Sequence, residues 1–86
     1  MSYRIELVSS AERQFKKLRP QVRNRILQKI ILLENQPKPS GSKKLHDTPY
    51  YRIRIGDYRV IYSVDDADKL VRILDAGHRR EVYRSH

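Results

Sequence analysis

The chain opens in alternation. Between Tyr3 and Val8 the apolar residues Tyr3, Ile5 and Leu7 are separated by Arg4 and Glu6, the two-residue period of a strand with one buried face. The period then lengthens. Ala11, Phe15 and Leu18 share one side of a helix, and Val22, Ile26, Ile30 and Leu33 mark a second helical stripe that Leu27 and Ile31 widen. Ser9 and Glu12 have the spacing of a capping box, which satisfies free backbone N–H groups at a helix start. Pro20 suits the first turn of the second helix, where its missing N–H is not needed. That helix is expected to end near Asn35, ahead of Pro37 and Pro39.

Beyond a Pro/Ser/Gly connection at residues 37–42, alternation returns. Tyr50-Tyr51-Arg52-Ile53-Arg54-Ile55 alternates strictly, Gly56-Asp57 is a two-residue turn signal, and Tyr58–Val64 is the return strand. Leu70–Leu74 is apolar on both faces and is expected to be a central strand. The order β-α-α-β-β-β predicts one α+β domain over residues 1–86, a helical hairpin packed on a small, mainly antiparallel sheet.

Composition narrows the function classes. A chain of 86 residues supports one modest core and no large catalytic cleft. Cysteine is absent, which excludes a disulfide framework and a cysteine zinc site and suits a reducing cytoplasm. No apolar run approaches the roughly 20 residues that span a bilayer, and the first residues lack the apolar segment of a signal peptide. The expectation is a cytoplasmic protein without a membrane partner. The net charge of +9, from 19 Lys and Arg against 10 Asp and Glu, suggests a polyanionic partner, either nucleic acid or an acidic protein, the alternative being a basic surface that serves solubility alone.

Part of that charge is ordered by the hairpin. A two-residue turn sets Ile55 opposite Tyr58 and Arg54 opposite Arg59. Alternation then puts Arg52, Arg54 and Arg59 on one face, and Ile53, Ile55, Tyr58, Val60 and Tyr62 on the other, the core side. Directly opposed like charges destabilise a hairpin by a few tenths to about 1 kcal/mol, so a face that keeps them suggests an anionic ligand, the alternative being a solvated face with arginine chosen for solubility. Arg79, Arg80 and Tyr83 follow the central strand after Gly77, and Arg79 and Tyr83 can reach this face if the tail leaves the end of that strand. The three histidines, His46, His78 and His86, lack metal-ligand spacing. The acidic turn Asp65-Asp66-Ala67-Asp68 lacks the Gly and terminal Glu of a calcium loop. No phosphate-binding Gly-rich loop and no Ser-His-Asp or Cys-His set stands out. No metal or cofactor is expected.

The stretch Tyr51-Arg52-Ile53-Arg54-Ile55-Gly56-Asp57-Tyr58-Arg59-Val60-Ile61-Tyr62, with the ending Gly77-His78-Arg79-Arg80-Glu81-Val82-Tyr83, resembles the RelE/ParE toxin superfamily. The layout of the opening strand and helical hairpin extends the resemblance over essentially the whole chain. The terminal Arg and Tyr favour the RNA-cutting RelE branch over the gyrase-poisoning ParE branch. The resemblance implies a RelE-like fold and a metal-independent endoribonuclease that cuts messenger RNA in the ribosomal A site. It also implies an acidic, RelB-like antitoxin with which the chain forms a hetero-oligomer. It assigns catalytic roles to Arg52, Arg54, Arg59, Arg79 and Tyr83, and contact with RNA or ribosome to Lys43, Lys44, Arg80 and Arg84. Arg52 and Arg54 stand where the family's best-known pattern has lysines. Arginine stays protonated, so these two are expected to bind phosphate rather than move protons. His78 is an addition able to titrate near neutrality and to share proton transfer. The alternative is a non-enzymatic module of the same fold, a ParE-like gyrase inhibitor or a basic nucleic-acid-binding protein.

Overall fold

In a computed structural model that describes residues 2–78, the chain forms a five-stranded sheet with two helices on one side. The elements are β1 (Arg4–Leu7), α1 (Ser9–Lys17), α2 (Pro20–Leu32), β2 (Lys43–Lys44), β3 (Tyr50–Ile55), β4 (Tyr58–Asp65) and β5 (Leu70–His78). The strand order is β1-β5-β4-β3-β2, antiparallel throughout except for the parallel pair β1/β5. This is the anticipated α+β layout with one addition. Lys43 and Lys44 pair with Arg52 and Tyr51 as a two-residue edge strand, which local alternation over two lysines cannot reveal. A short, lysine-bearing edge also resists further strand pairing.

The core lies between helices and sheet. Ala11 and Phe15 of α1, Ile26 and Ile30 of α2, and Leu33 just beyond it meet Ile53, Ile55, Val60, Tyr62, Val71, Ile73 and Ala76. Apolar positions at helical spacing thus face apolar positions at strand spacing, as the hydrophobic pattern requires. Pro20 takes the first turn of α2. Ile31, expected to widen the apolar stripe, is 55% exposed, and Leu32 beside it is 59% exposed; the stripe is narrower because the sheet contacts only one side of α2. The capping box does not form. Val8 is the N-cap residue without a side-chain cap, and Glu12 instead pairs with Lys16 one turn on, at 3.5 Å.

The hairpin has the expected register, with Ile55 opposite Tyr58 and Arg54 opposite Arg59. Gly56 has φ of +60° and Asp57 does not share a positive φ, as in a type II′ turn that suits the twist of the flanking strands. The last strand runs to His78, four residues past the expected Leu74. It does so because it kinks: the pairing with β4 shifts between Ile61 and Tyr62, so that Tyr62 faces Ile73 but Ile61 faces Asp75. Leu74 is the extra residue of this bulge, and such an insertion shifts the phase of everything after it.

Beyond Ile73, β1 no longer covers the edge of β5. The side chain of Gln14 on α1 takes its place there. Its Oε1 accepts from the Ala76 N–H at 2.9 Å, and its Nε2 donates to Asp75 Oδ1 at 2.6 Å. One side-chain amide thus stands in for a neighbouring peptide. On the other flank, the Tyr62 hydroxyl donates to the Pro37 carbonyl at 2.8 Å and holds the 37–42 connection. Burial pushes the Tyr62 phenol above its ordinary pKa, which keeps it a neutral donor.

Candidate nucleic-acid interface

The sheet face turned away from the helices is read from the pairing. Residues opposite each other on antiparallel strands share a face. Three cross-strand rows result. The first joins Tyr50, Ser63, Arg72 and Glu6; the second Lys43, Arg52, Ile61 and Asp75; the third Arg54, Arg59 and Gly77. Arg52, Arg54 and Arg59 are therefore brought together, as their alternation predicts, and Lys43 joins them through β2. Lys44 shares the register of Tyr51 and so belongs to the opposite face at the sheet edge.

The cations of this face are not equivalent. Arg72 is neutralised, its Nε donating to Glu6 Oε1 at 3.2 Å. Arg52 and Arg54 make no ion pair among the described residues. Arg59 is buried, 2% exposed. Arg54 and Arg59, directly opposed, are about 4.5–5.5 Å apart at Cβ. Arg52 and Arg54, two residues apart on one strand, are about 7 Å apart. Arg52 and Arg54, both on β3, are the guanidinium groups of the hairpin that a phosphate can reach, and the guanidinium fork suits two-pronged hydrogen bonding of an oxyanion; Arg59 is buried beside them in the pairing.

Asp75 is the buried carboxylate of this region, 9% exposed and held by Gln14. Sequence reasoning missed both residues. A signal existed: Gln14 interrupts the stripe of Ala11, Phe15 and Leu18 at a position that faces the sheet, and a polar residue there needs a partner.

His78 is not brought to the arginines. It pairs with Tyr58, on the helix side of the sheet, and its ring meets the Tyr58 ring edge to face at 5.4 Å. The bulge at Leu74 and the pairing of Tyr58 with His78 put it there. Arg79, Arg80, Tyr83 and Arg84 lie outside the described residues. Among the described residues no three His, Cys, Asp or Glu side chains converge as metal ligands, and no helix is long and apolar enough to cross a membrane.

Comparison with known proteins shows the family. Residues 5–83 match the family model of the ParE toxin of type II toxin–antitoxin systems of the parDE kind. The chain belongs to the RelE/ParE superfamily of toxins. The toxin RelG of Mycobacterium tuberculosis is 30% identical over 88 residues, covering 98% of this chain and 99% of RelG. Among solved structures, the RelBE2 toxin–antitoxin complex of M. tuberculosis superposes with a TM-score of 0.83 at 27% identity, covering 92% of this chain and 100% of that one. The archaeal RelE–RelB complex of Pyrococcus horikoshii gives 0.81 at 35% identity over 92% and 97%. A mutant of Escherichia coli RelE in the free state gives 0.83 at 25% over 98% and 93%. These likenesses place this RelE/ParE member among the RelE-type toxins and span nearly the full length of each relative.

Proposed function

We propose that this RelE-type toxin is a ribosome-dependent, metal-independent endoribonuclease that cuts messenger RNA in the A site and so stops translation. The observation that carries the reading is the face of Arg52, Arg54 and Arg59, three guanidinium groups on one side of a two-stranded platform, with Lys43 at its edge. RNA supplies its own nucleophile. The 2′-oxygen forms a bond to the adjacent phosphorus while the bond to the 5′-oxygen breaks. The proton of the 2′-hydroxyl goes to a base, and the leaving 5′-oxygen receives one from an acid. The products are a 2′,3′-cyclic phosphate and a 5′-hydroxyl. Negative charge builds on the phosphate oxygens in the transition state, and preoriented cations stabilise it there.

The arginines serve that electrostatic task and leave proton transfer to other groups. Tyr83 is assigned the proton acceptor, since neighbouring positive charge favours the phenolate. Arg79 is assigned to the growing charge on the phosphate. Arg80, Arg84, Lys43 and Lys44 hold RNA or ribosome. Weak proton-transfer groups explain the need for the ribosome, which would bring the message into in-line geometry.

The partner is proposed to be an acidic, RelB-like antitoxin, because several structural relatives are toxin–antitoxin complexes. A surface for it exists. Leu32, Pro39, Ile53 and Ile55 line a cavity of about 430 Å³ between the end of α2 and β3, with Lys29 and Arg54 also in its wall. An amphipathic acidic segment fits such a surface by apolar contact and charge complementarity. The second reading, gyrase inhibition, is favoured by the ParE description of the matching family. Primer extension on a translated message, with and without the protein, tests the first reading. Cleavage confined to ribosome-bound message supports it. Uncut message together with blocked DNA supercoiling by gyrase would replace it with the second.

A further inference from the structure

The helical side of the molecule has a second concave surface, at the corner where α1 turns into α2. Lys17, Leu18 and Arg19 of that corner and Tyr58, Ala76 and His78 of the sheet line a pocket of about 420 Å³. Volumes of about 300–1,000 Å³ are usual for sites that hold small organic ligands. The wall is aromatic: the Tyr58 and His78 rings stand at 83° to each other, 5.4 Å between centroids. Leu18 adds apolar surface. The rim is cationic. Lys17 and Arg19 are exposed and make no ion pair among the described residues, whereas neighbouring Lys16 is matched by Glu12.

Flat rings beside unmatched cations are the composition that grips single-stranded nucleic acid, with a base stacked on the ring and a phosphate at the cation. A purely solvated surface would not set two rings and an apolar side chain beside the charges. We propose that this pocket holds one nucleotide of a single-stranded RNA, its base against Tyr58 and His78 and its phosphate at Lys17 and Arg19. The inference rests on the RNA reading above and adds a second grip to it. The two sites occupy opposite faces of the sheet but the same end: Tyr58 pairs with His78, and the next pair along is Arg59 with Gly77, the latter also in the pocket wall. A nucleotide held here would fix the position of the RNA relative to the arginine face. It also gives His78 a task in keeping with its place on the helix side.

The test uses the full chain carrying Arg52→Ala and Arg54→Ala, which weakens the arginine face. A short fluorescent single-stranded RNA is titrated at several salt concentrations and followed by anisotropy. The titration is repeated with Lys17→Gln and Arg19→Gln added. Both are exposed, and circular dichroism checks that the fold is kept. The expected result is an affinity lower by on the order of tenfold and a salt slope lower by about 0.7, the value for the one phosphate no longer neutralised. In parallel, NMR should show the Tyr58 and His78 ring signals moving with RNA but not with inorganic phosphate. The proposal is overturned by an unchanged affinity and slope, by absence of RNA binding in the arginine-depleted chain, or by rings that respond to neither ligand or equally to both. Cleavage of ribosome-bound message by the unsubstituted chain is scored separately. Pocket binding without cleavage would sink the catalytic reading alone, and cleavage without pocket binding would sink this one alone.

Discussion

Replacing Gln14 by Ala should destabilise the domain more than an ordinary helix-surface substitution. Two hydrogen bonds go at once. The Asp75 carboxylate, 9% exposed, loses the Nε2 donor at 2.6 Å, and the fully buried Ala76 loses the acceptor for its N–H at 2.9 Å. A hydrogen bond to a charged group contributes roughly 1.5–3 kcal/mol, and a buried N–H left without an acceptor costs roughly 1–3 kcal/mol. The better helix propensity of Ala returns a few tenths at most. Water reaching the strand edge offsets part of the loss, so about 3 kcal/mol is expected. A chain of this length has a total stability of roughly 4–13 kcal/mol at ~0.05–0.15 kcal/mol per residue. Urea unfolding followed by circular dichroism reads the change: with a slope of ~1–1.5 kcal/mol per molar, the midpoint should fall by roughly 2–3 M. Gln14→Glu sharpens the test. It keeps an acceptor for Ala76 but sets a carboxylate against Asp75. One of the two must then take up a proton in the folded state, so its pKa is raised on folding. The penalty of Gln14→Glu should therefore grow as pH rises and shrink in acid. A midpoint shift below about 0.5 M for Gln14→Ala, or a Gln14→Glu penalty indifferent to pH, would refute the idea that this amide closes the sheet edge.

Arg79→Ala should slow cleavage of ribosome-bound message roughly 100- to 1,000-fold, about 3–4 kcal/mol of transition-state stabilisation, and Tyr83→Phe on the order of 100-fold; single-turnover primer extension measures both, and wild-type rates in the two variants would void the assigned site. Tyr62→Phe keeps the buried ring but removes the donor to the Pro37 carbonyl, so thermal unfolding should report a loss of about 1 kcal/mol. Gly56→Ala places a Cβ at φ of +60°, 3.3 Å from the flexible end of Arg25; the backbone term dominates, and a loss of about 1–2 kcal/mol is expected in urea unfolding. The Tyr3 hydroxyl, bonded to Asp66 at 2.7 Å, holds that exposed carboxyl below its ordinary pKa, with Lys38 assisting. A carboxyl lowered on folding contributes stability above its unfolded pKa and loses it as pH falls through the folded one. The stability gap between the parent and Tyr3→Phe should accordingly close in acid, and a gap that widens there would contradict the assignment.

Local periodicity was enough to place most of the elements. Both helices, the hairpin register and the shared face of Arg52, Arg54 and Arg59 follow from spacing that depends on neighbouring residues alone, because side-chain direction repeats every 3.6 residues in a helix and every two in a strand. The superfamily was legible for the same reason: its hairpin motif is a local pattern. Other features depended on contacts between distant segments. The lysine pair at 43–44 became a strand only because β3 offered an edge. Ile31 stayed exposed because the sheet covers one side of α2. The bulge at Leu74 shifted the phase of β5, so that His78 came to Tyr58 on the helix side rather than to the arginines. Gln14 found Asp75 and Ala76 across more than sixty residues of chain. A sequence pattern carries the direction of each side chain along its own element; which surface it meets, and whether a one-residue insertion turns it over, is decided only when the elements pack.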